Sequence, residues 1–211
     1  MMMQNKHNIR IDRSKLHPYL DVLLGKMLKE CAKAGIYLII TEGIRTVERQ
    51  DELYAQGRTK PGIVVTRSRG LSYSSQHQWG VAFDIAINDP NKLYDDVLLE
   101  KAATIGKSVG LSWGGDWKSI IDKPHFYLGK WGPITKTLKD KYGNPDNFKK
   151  TWTATVKRKN GIRLFKDKSR KNLIGRIPYG STVEVVYRCR LRHARIRYND
   201  NVGYVLKRFL K

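Results

Sequence analysis

The chain has 211 residues, enough for one large domain or for a medium one followed by a small one. With 40% apolar residues and a mean hydropathy of -0.53 it has the composition of an ordinary soluble protein, which excludes a disordered or fibrous chain. No stretch approaches the ~20 apolar residues of a membrane span, so no stable membrane insertion is expected. The net charge is +22, and it is unevenly placed: residues 150–211 hold 18 basic and 3 acidic side chains, against 23 and 16 in residues 1–149. A field of that sign draws anionic polymers: nucleic acid, teichoic acids of a Gram-positive wall, or an anionic membrane surface. Charge by itself does not choose among them.

Met1–Arg10 is polar and lacks the apolar core of a secretory signal, which predicts a protein made in the cytoplasm. Next, Leu16, Leu20, Leu23, Leu24, Met27, Leu28 and Cys31 recur at helical spacing, and Gly35 is a natural stop. The apolar run in Ile36–Thr41 predicts a buried strand, and Val47–Gln56 a second helix closed by Gly57. Arg58–Ser75 reads as a long polar loop, and long loops inside compact domains are commonly functional. Val81–Ile87 predicts a strand, Asp95–Val109 a helix ended by Gly110, and Leu111–Leu128 loop and strand. Helices and strands mix without a repeating rhythm, which predicts an α+β fold.

At Tyr142–Asp146 turn residues cluster, and beyond Trp152 the helical period vanishes. Five short β-rich runs follow: Thr153–Val156, Ile162–Phe165, Thr182–Tyr187, Ala194–Tyr198 and Val202–Leu206. They predict a small all-β barrel, with domains at 1–148 and 149–211. Cys31 and Cys189 fall in different domains and read as reduced structural thiols rather than a disulfide.

Chemistry concentrates in His77, Asp84 and His125. Asp84 interrupts an apolar strand, which is expensive unless the carboxylate is paired or bound to a cation. Two imidazoles and a carboxylate suit one Zn²⁺ and leave a fourth position for water, as in a catalytic site. Zinc brings the pKa of such a water toward ~7, and Asp122, three residues before His125, is placed to carry the proton. The residues alone also allow two hydrogen-bonded histidines and a capping aspartate, for no consecutive H-E-x-x-H ligand motif is present.

The segment Ser75-Gln76-His77-Gln78-Trp79-Gly80-Val81-Ala82-Phe83-Asp84, then Trp113-Gly114-Gly115-Asp116-Trp117 and Asp122-Lys123-Pro124-His125, resembles the VanY/D-alanyl-D-alanine carboxypeptidase family of zinc peptidases. The run Glu42–Thr59 is similar to its branch of L-alanyl-D-glutamate endopeptidases, found in phage endolysins and bacterial autolysins. The resemblance covers roughly residues 15–130. It implies His77, Asp84 and His125 as zinc ligands, Asp122 as general base and Arg45 as the cation facing the developing oxyanion. It further implies Ser75 and Gln50 as substrate contacts. Gln78-Trp79 and Tyr127 depart from the family pattern, and Trp79, Trp113 and Trp117 are candidates for lining the cleft.

Gly161–Phe165, Ile174-Gly175, Tyr179–Val183 and Val202–Val205 resemble bacterial Src-homology-3-like wall-binding domains, and Arg188, Arg190, Arg192, Arg195 and Arg197 form a dense basic strand pair. The reading is therefore a peptidoglycan hydrolase cutting stem peptides with one zinc ion, held on anionic wall polymers by its C-terminal domain. Nucleic acid is not the expected partner, and release through holin-made pores is implied. Two other readings remain: a D,D-carboxypeptidase removing terminal D-alanine, and a non-catalytic basic module binding wall polymer or nucleic acid.

Overall fold

A computed structural model describes residues 6–211; the polar N-terminal segment considered above begins outside them. The chain divides into two compact units, one ending at Pro145 and one running Asp146–Lys211. Among the described residues no helix is long and apolar enough to cross a membrane.

The first unit mixes helices with one sheet. Its elements are β1 (Asn8–Ile9), α1 (Pro18–Lys33), β2 (Leu38–Glu42), α2 (Val47–Ala55), β3 (Ala82–Ile87), α3 (Asp96–Val109), β4 (Ser112–Trp113), β5 (His125–Tyr127) and α4 (Lys136–Tyr142). The sheet order is β1-β2-β3-β5-β4, with β1 parallel to β2 and the other pairs antiparallel. Leu20, Leu23, Leu24, Met27, Leu28 and Cys31 form the buried face of α1, which packs against α3. Gly106 of α3 lies so near β5 that a Cβ there would fall 2.6 Å from the Phe126 ring. The helix α4 was not anticipated: its short polar stretch buries only Leu138 and so carries no legible period.

His17 caps α1, its Nδ1 accepting the Tyr19 N–H at 3.1 Å. Burial, helped by Lys130, pulls its pKa down to about 3. Between that value and the ordinary 6.5 the unfolded chain binds a proton that the native protein refuses. The contribution is therefore complete above about pH 6.5 and is lost as pH falls, at up to about 1.4 kcal/mol per unit. The melting temperature should drop through this window, and His17→Asn, which retains a capping oxygen, should flatten the dependence. An equally steep variant would show that other groups govern acid unfolding.

Helix α5 (Pro145–Lys149) runs across the boundary, and the second unit then contains β6 (Thr153–Thr155), β7 (Ile162–Phe165), β8 (Leu173–Ile177), β9 (Thr182–Arg188), β10 (His193–Tyr198) and β11 (Asn201–Leu206). These strands make one antiparallel sheet in the order β6-β9-β10-β11-β7-β8 over a core that includes Val156, Ile162, Leu164, Val183, Ile196 and Val205. Six strands replace the five expected: β8 was missed because it is an exposed edge strand with Gly175 in its middle and no clean alternation. No ladder joins β6 to β8, so the second unit is an all-β sheet whose described pairing does not close a barrel. Cys31 and Cys189 are both free, and burial pushes the Cys31 thiol up to about 12, which leaves it unreactive.

Candidate metal centre and active-site cleft

Strand register assembles the site. Asp84 on β3 pairs with Glu42 on β2 at one side and with His125 on β5 at the other, so three chain-distant side chains stand in a row. His77 comes from the single helical turn Gln76–Trp79 that leads into β3. One ligand atom each of His77, Asp84 and His125 lies within 4.8 Å of the other two. Asp84 is 3.3 Å from His77 Nε2 and 3.0 Å from His125 Nδ1.

The outer hydrogen bonds set the tautomers. His77 Nδ1 is 2.8 Å from the Gly43 carbonyl, which can only accept, so this nitrogen donates and Nε2 is left with its lone pair. His125 Nε2 is 2.8 Å from Gln76 Oε1, whose own amide nitrogen donates to the Gly132 carbonyl at 3.0 Å. His125 Nδ1 is thereby left as a lone pair, 3.2 Å from His77 Nε2. Two such nitrogens and a carboxylate oxygen aimed at one point repel each other unless a proton or a metal ion is shared among them. That donor set is able to hold a metal ion, and it suits zinc by ligand type. Against the effect of burial, the two imidazoles hold the Asp84 carboxyl well below the usual range, while the same carboxylate raises His77 despite its burial.

Arg45 lies beside this group. Its guanidinium pairs with Glu42, donates to Gln50 Oε1 at 3.0 Å and to Ser75 Oγ at 3.4 Å, and stands 3.9 Å from Asp84. Ser75 lines the cleft. Gln50 does not: it is fully enclosed, its Oε1 taken by Arg45 and its amide nitrogen by Thr66 Oγ1 and the Ser68 carbonyl. It ties Arg45 to the wall of the cleft. Asp122 also faces the site, and burial, with the Asp84 charge adding, pushes its carboxyl above the ordinary value. Gly114 makes this approach possible, since a Cβ there would meet the Asp122 carbonyl at 2.6 Å.

A cleft of about 640 Å³ opens over these residues, with Val65–Ser68, Ser74, Ser75, Trp117–Ile120, Pro133 and Ile134 around it. The long loop thus forms one wall, pinned by the Gly70 N–H on Asp51 at 2.7 Å. Of the three tryptophans, only Trp117 lines the cleft, its ring 5.0 Å from that of His125. Trp79 and Trp113 are core, their indole nitrogens donating to the Tyr73 and Lys123 carbonyls. The departures from the family pattern have local uses. Tyr127 Oη accepts from Trp117 Nε1 at 3.1 Å, and Gln78 donates to the Gly70 carbonyl at 2.7 Å. Sequence reasoning missed Gln76 and Glu42, whose only signal was their position beside assigned residues.

Two histidines and an aspartate converging at the floor of an open cleft, with a carboxylate and a guanidinium alongside, make the arrangement of a metal-dependent hydrolase. Residues 69–128 match the family described as D-alanyl-D-alanine carboxypeptidase. The chain is 40% identical over 127 residues to the peptidoglycan L-alanyl-D-glutamate endopeptidase CwlK of Bacillus subtilis, covering 54% of this chain and 74% of that protein. It is 28% identical over 117 residues to the L-alanyl-D-glutamate peptidase of Listeria phage A118, covering 54% of this chain but only 38% of that one. A solved structure, the L-Ala D-Glu endopeptidase ChiX of Serratia marcescens, is 22% identical over 55% of this chain and 82% of its own, with a TM-score of 0.44. The chain belongs to the D-alanyl-D-alanine carboxypeptidase family of metallopeptidases.

Proposed function

We propose that the protein is a peptidoglycan hydrolase that cuts the stem peptide at its L-alanyl-D-glutamate bond. The observation that carries this reading is the convergence of His77, Asp84 and His125 on one point beside Arg45, within an open cleft. The names of the Bacillus and phage relatives support the choice of bond. In this reading His77 Nε2, Asp84 and His125 Nδ1 would hold zinc, which would supply Lewis acidity and make water acidic enough to attack near neutral pH. Asp122 accepts the proton of the attacking water and returns it to the leaving amine. Arg45, held by Glu42 and Gln50, faces the carbonyl oxygen as charge builds on it. Ser75 contacts the substrate backbone from the same wall.

The second unit is, in this reading, a Src-homology-3-like domain (residues 149–211) that keeps the enzyme on anionic wall polymers; its all-β make-up and charge support this. Release from the cytoplasm through holin-made pores belongs to the same proposal. The test is a digest of purified muropeptides read by mass spectrometry, with and without a chelator. Products split between L-alanine and D-glutamate are expected, and only without chelator. Loss of a single alanine mass would instead make the protein a D,D-carboxypeptidase, and an intact substrate would leave a binding module.

A further inference from the structure

The second unit carries a concave basic site apart from the strand pair that its composition brings to notice. Arg158, Arg163, Arg170 and Arg176 line a cavity of about 420 Å³, together with Phe165 and Phe209. No acidic side chain lines it, and among the described residues none of the four guanidinium groups has a carboxylate partner. Arg163 and Arg176 are moreover direct cross-strand partners on β7 and β8. Like charges placed directly opposite each other destabilise a sheet, so this pair costs the fold something that a bound anion would repay.

A second cavity shares Arg170 and Leu206 with the first and adds Lys168, Arg192, Lys207 and Arg208. The cationic track is thus longer than any single small anion, and fits a repeating one. Of the two aromatic rings that line it, Phe209 is already covered by cations, Arg158 and Arg208. Binding of single-stranded nucleic acid stacks successive bases on aromatic faces, and of the two rings here Phe209 is taken, which leaves Phe165 and no platform of several rings. Guanidinium groups match phosphate by bidentate hydrogen bonds.

We propose that the cavity lined by Arg158, Arg163, Arg170 and Arg176 binds a phosphodiester-linked polyol of the bacterial wall, one phosphate seated between Arg163 and Arg176 and the chain continuing past Arg170. The proposal rests on the reading of the protein as a wall hydrolase and narrows its anchoring to one site.

The experiment measures binding of the full-length protein to poly(glycerol phosphate) at physiological ionic strength. The wild type is compared with Arg163→Gln/Arg176→Gln and with Arg188→Gln/Arg190→Gln, which removes the same charge outside the cavity. The first variant should bind at least tenfold more weakly and melt no lower than wild type, because a like-charge pair has gone; the second should stay within about threefold. Arg158→Gln/Arg170→Gln repeats the test from the other wall should the first variant melt early. Equal weakening by cavity and strand-pair variants would reduce the effect to overall charge and overturn the site. Tighter binding of single-stranded DNA of matched charge would overturn the ligand class. Hydrolysis of soluble muropeptides by the wild type is read separately, so failure of the anchoring site and failure of the hydrolase reading leave different records.

Discussion

Alanine at His77, Asp84 or His125 should remove bound zinc and peptide hydrolysis together, and a chelator should do the same to the wild type. The three side chains supply the converging atoms, and losing one leaves two protein donors for an ion that ordinarily has three in a catalytic site. The Lewis acidity forfeited is worth several kcal/mol, which at about 1.4 kcal/mol per decade is about a thousandfold or more in rate. Gln76→Leu should give a milder version. It removes the acceptor on His125 Nε2 and frees the ring to hold the wrong tautomer, so zinc affinity should fall about 10–100-fold. Metal content and turnover measured on the same samples decide the matter. A His77→Ala protein that kept its zinc and its rate would show the ligand assignment to be wrong.

Asp122→Asn should keep its metal yet lose about 10²–10⁴-fold in turnover, because an amide cannot take a proton from water. The substitution is nearly isosteric, and the structural duties here belong to the backbone: the Asp122 N–H donates to the Gly114 carbonyl, and its own carbonyl accepts from His125 N–H. Fold and ligand positions should therefore persist. Since only the ionised Asp122 carboxylate accepts the proton, wild-type activity should fail as falling pH protonates it. The variant should lack this acid limb. A variant within about twofold of wild type would assign the proton transfer to another group.

The helices α1 and α3 were legible because an amphipathic helix writes its buried face locally, every three or four residues, and Gly35 and Gly110 mark their ends. The strand β3 was equally plain, and its one carboxylate advertised itself by its cost in apolar company. So did the family pattern around His77, Asp84 and His125, since its spacings survive in the chain itself.

Reading the residues alone, then, singles out the candidates for the chemistry. What it left to the tertiary structure is who faces whom. The alignment of Glu42, Asp84 and His125 is a matter of strand register across β2, β3 and β5, which no local period encodes. Gln50 looks like any polar residue of a helix until the loop carrying Thr66 and Ser68 folds over it and consumes its amide. Trp117 differs from Trp79 and Trp113 only in that Tyr127 holds it above His125. In the second unit, Arg163 and Arg176 are thirteen positions apart and unremarkable until β8 pairs with β7 and sets them opposite each other. Periodicity reports how a segment meets a core, whereas pairing between distant segments is decided only when the whole core is packed.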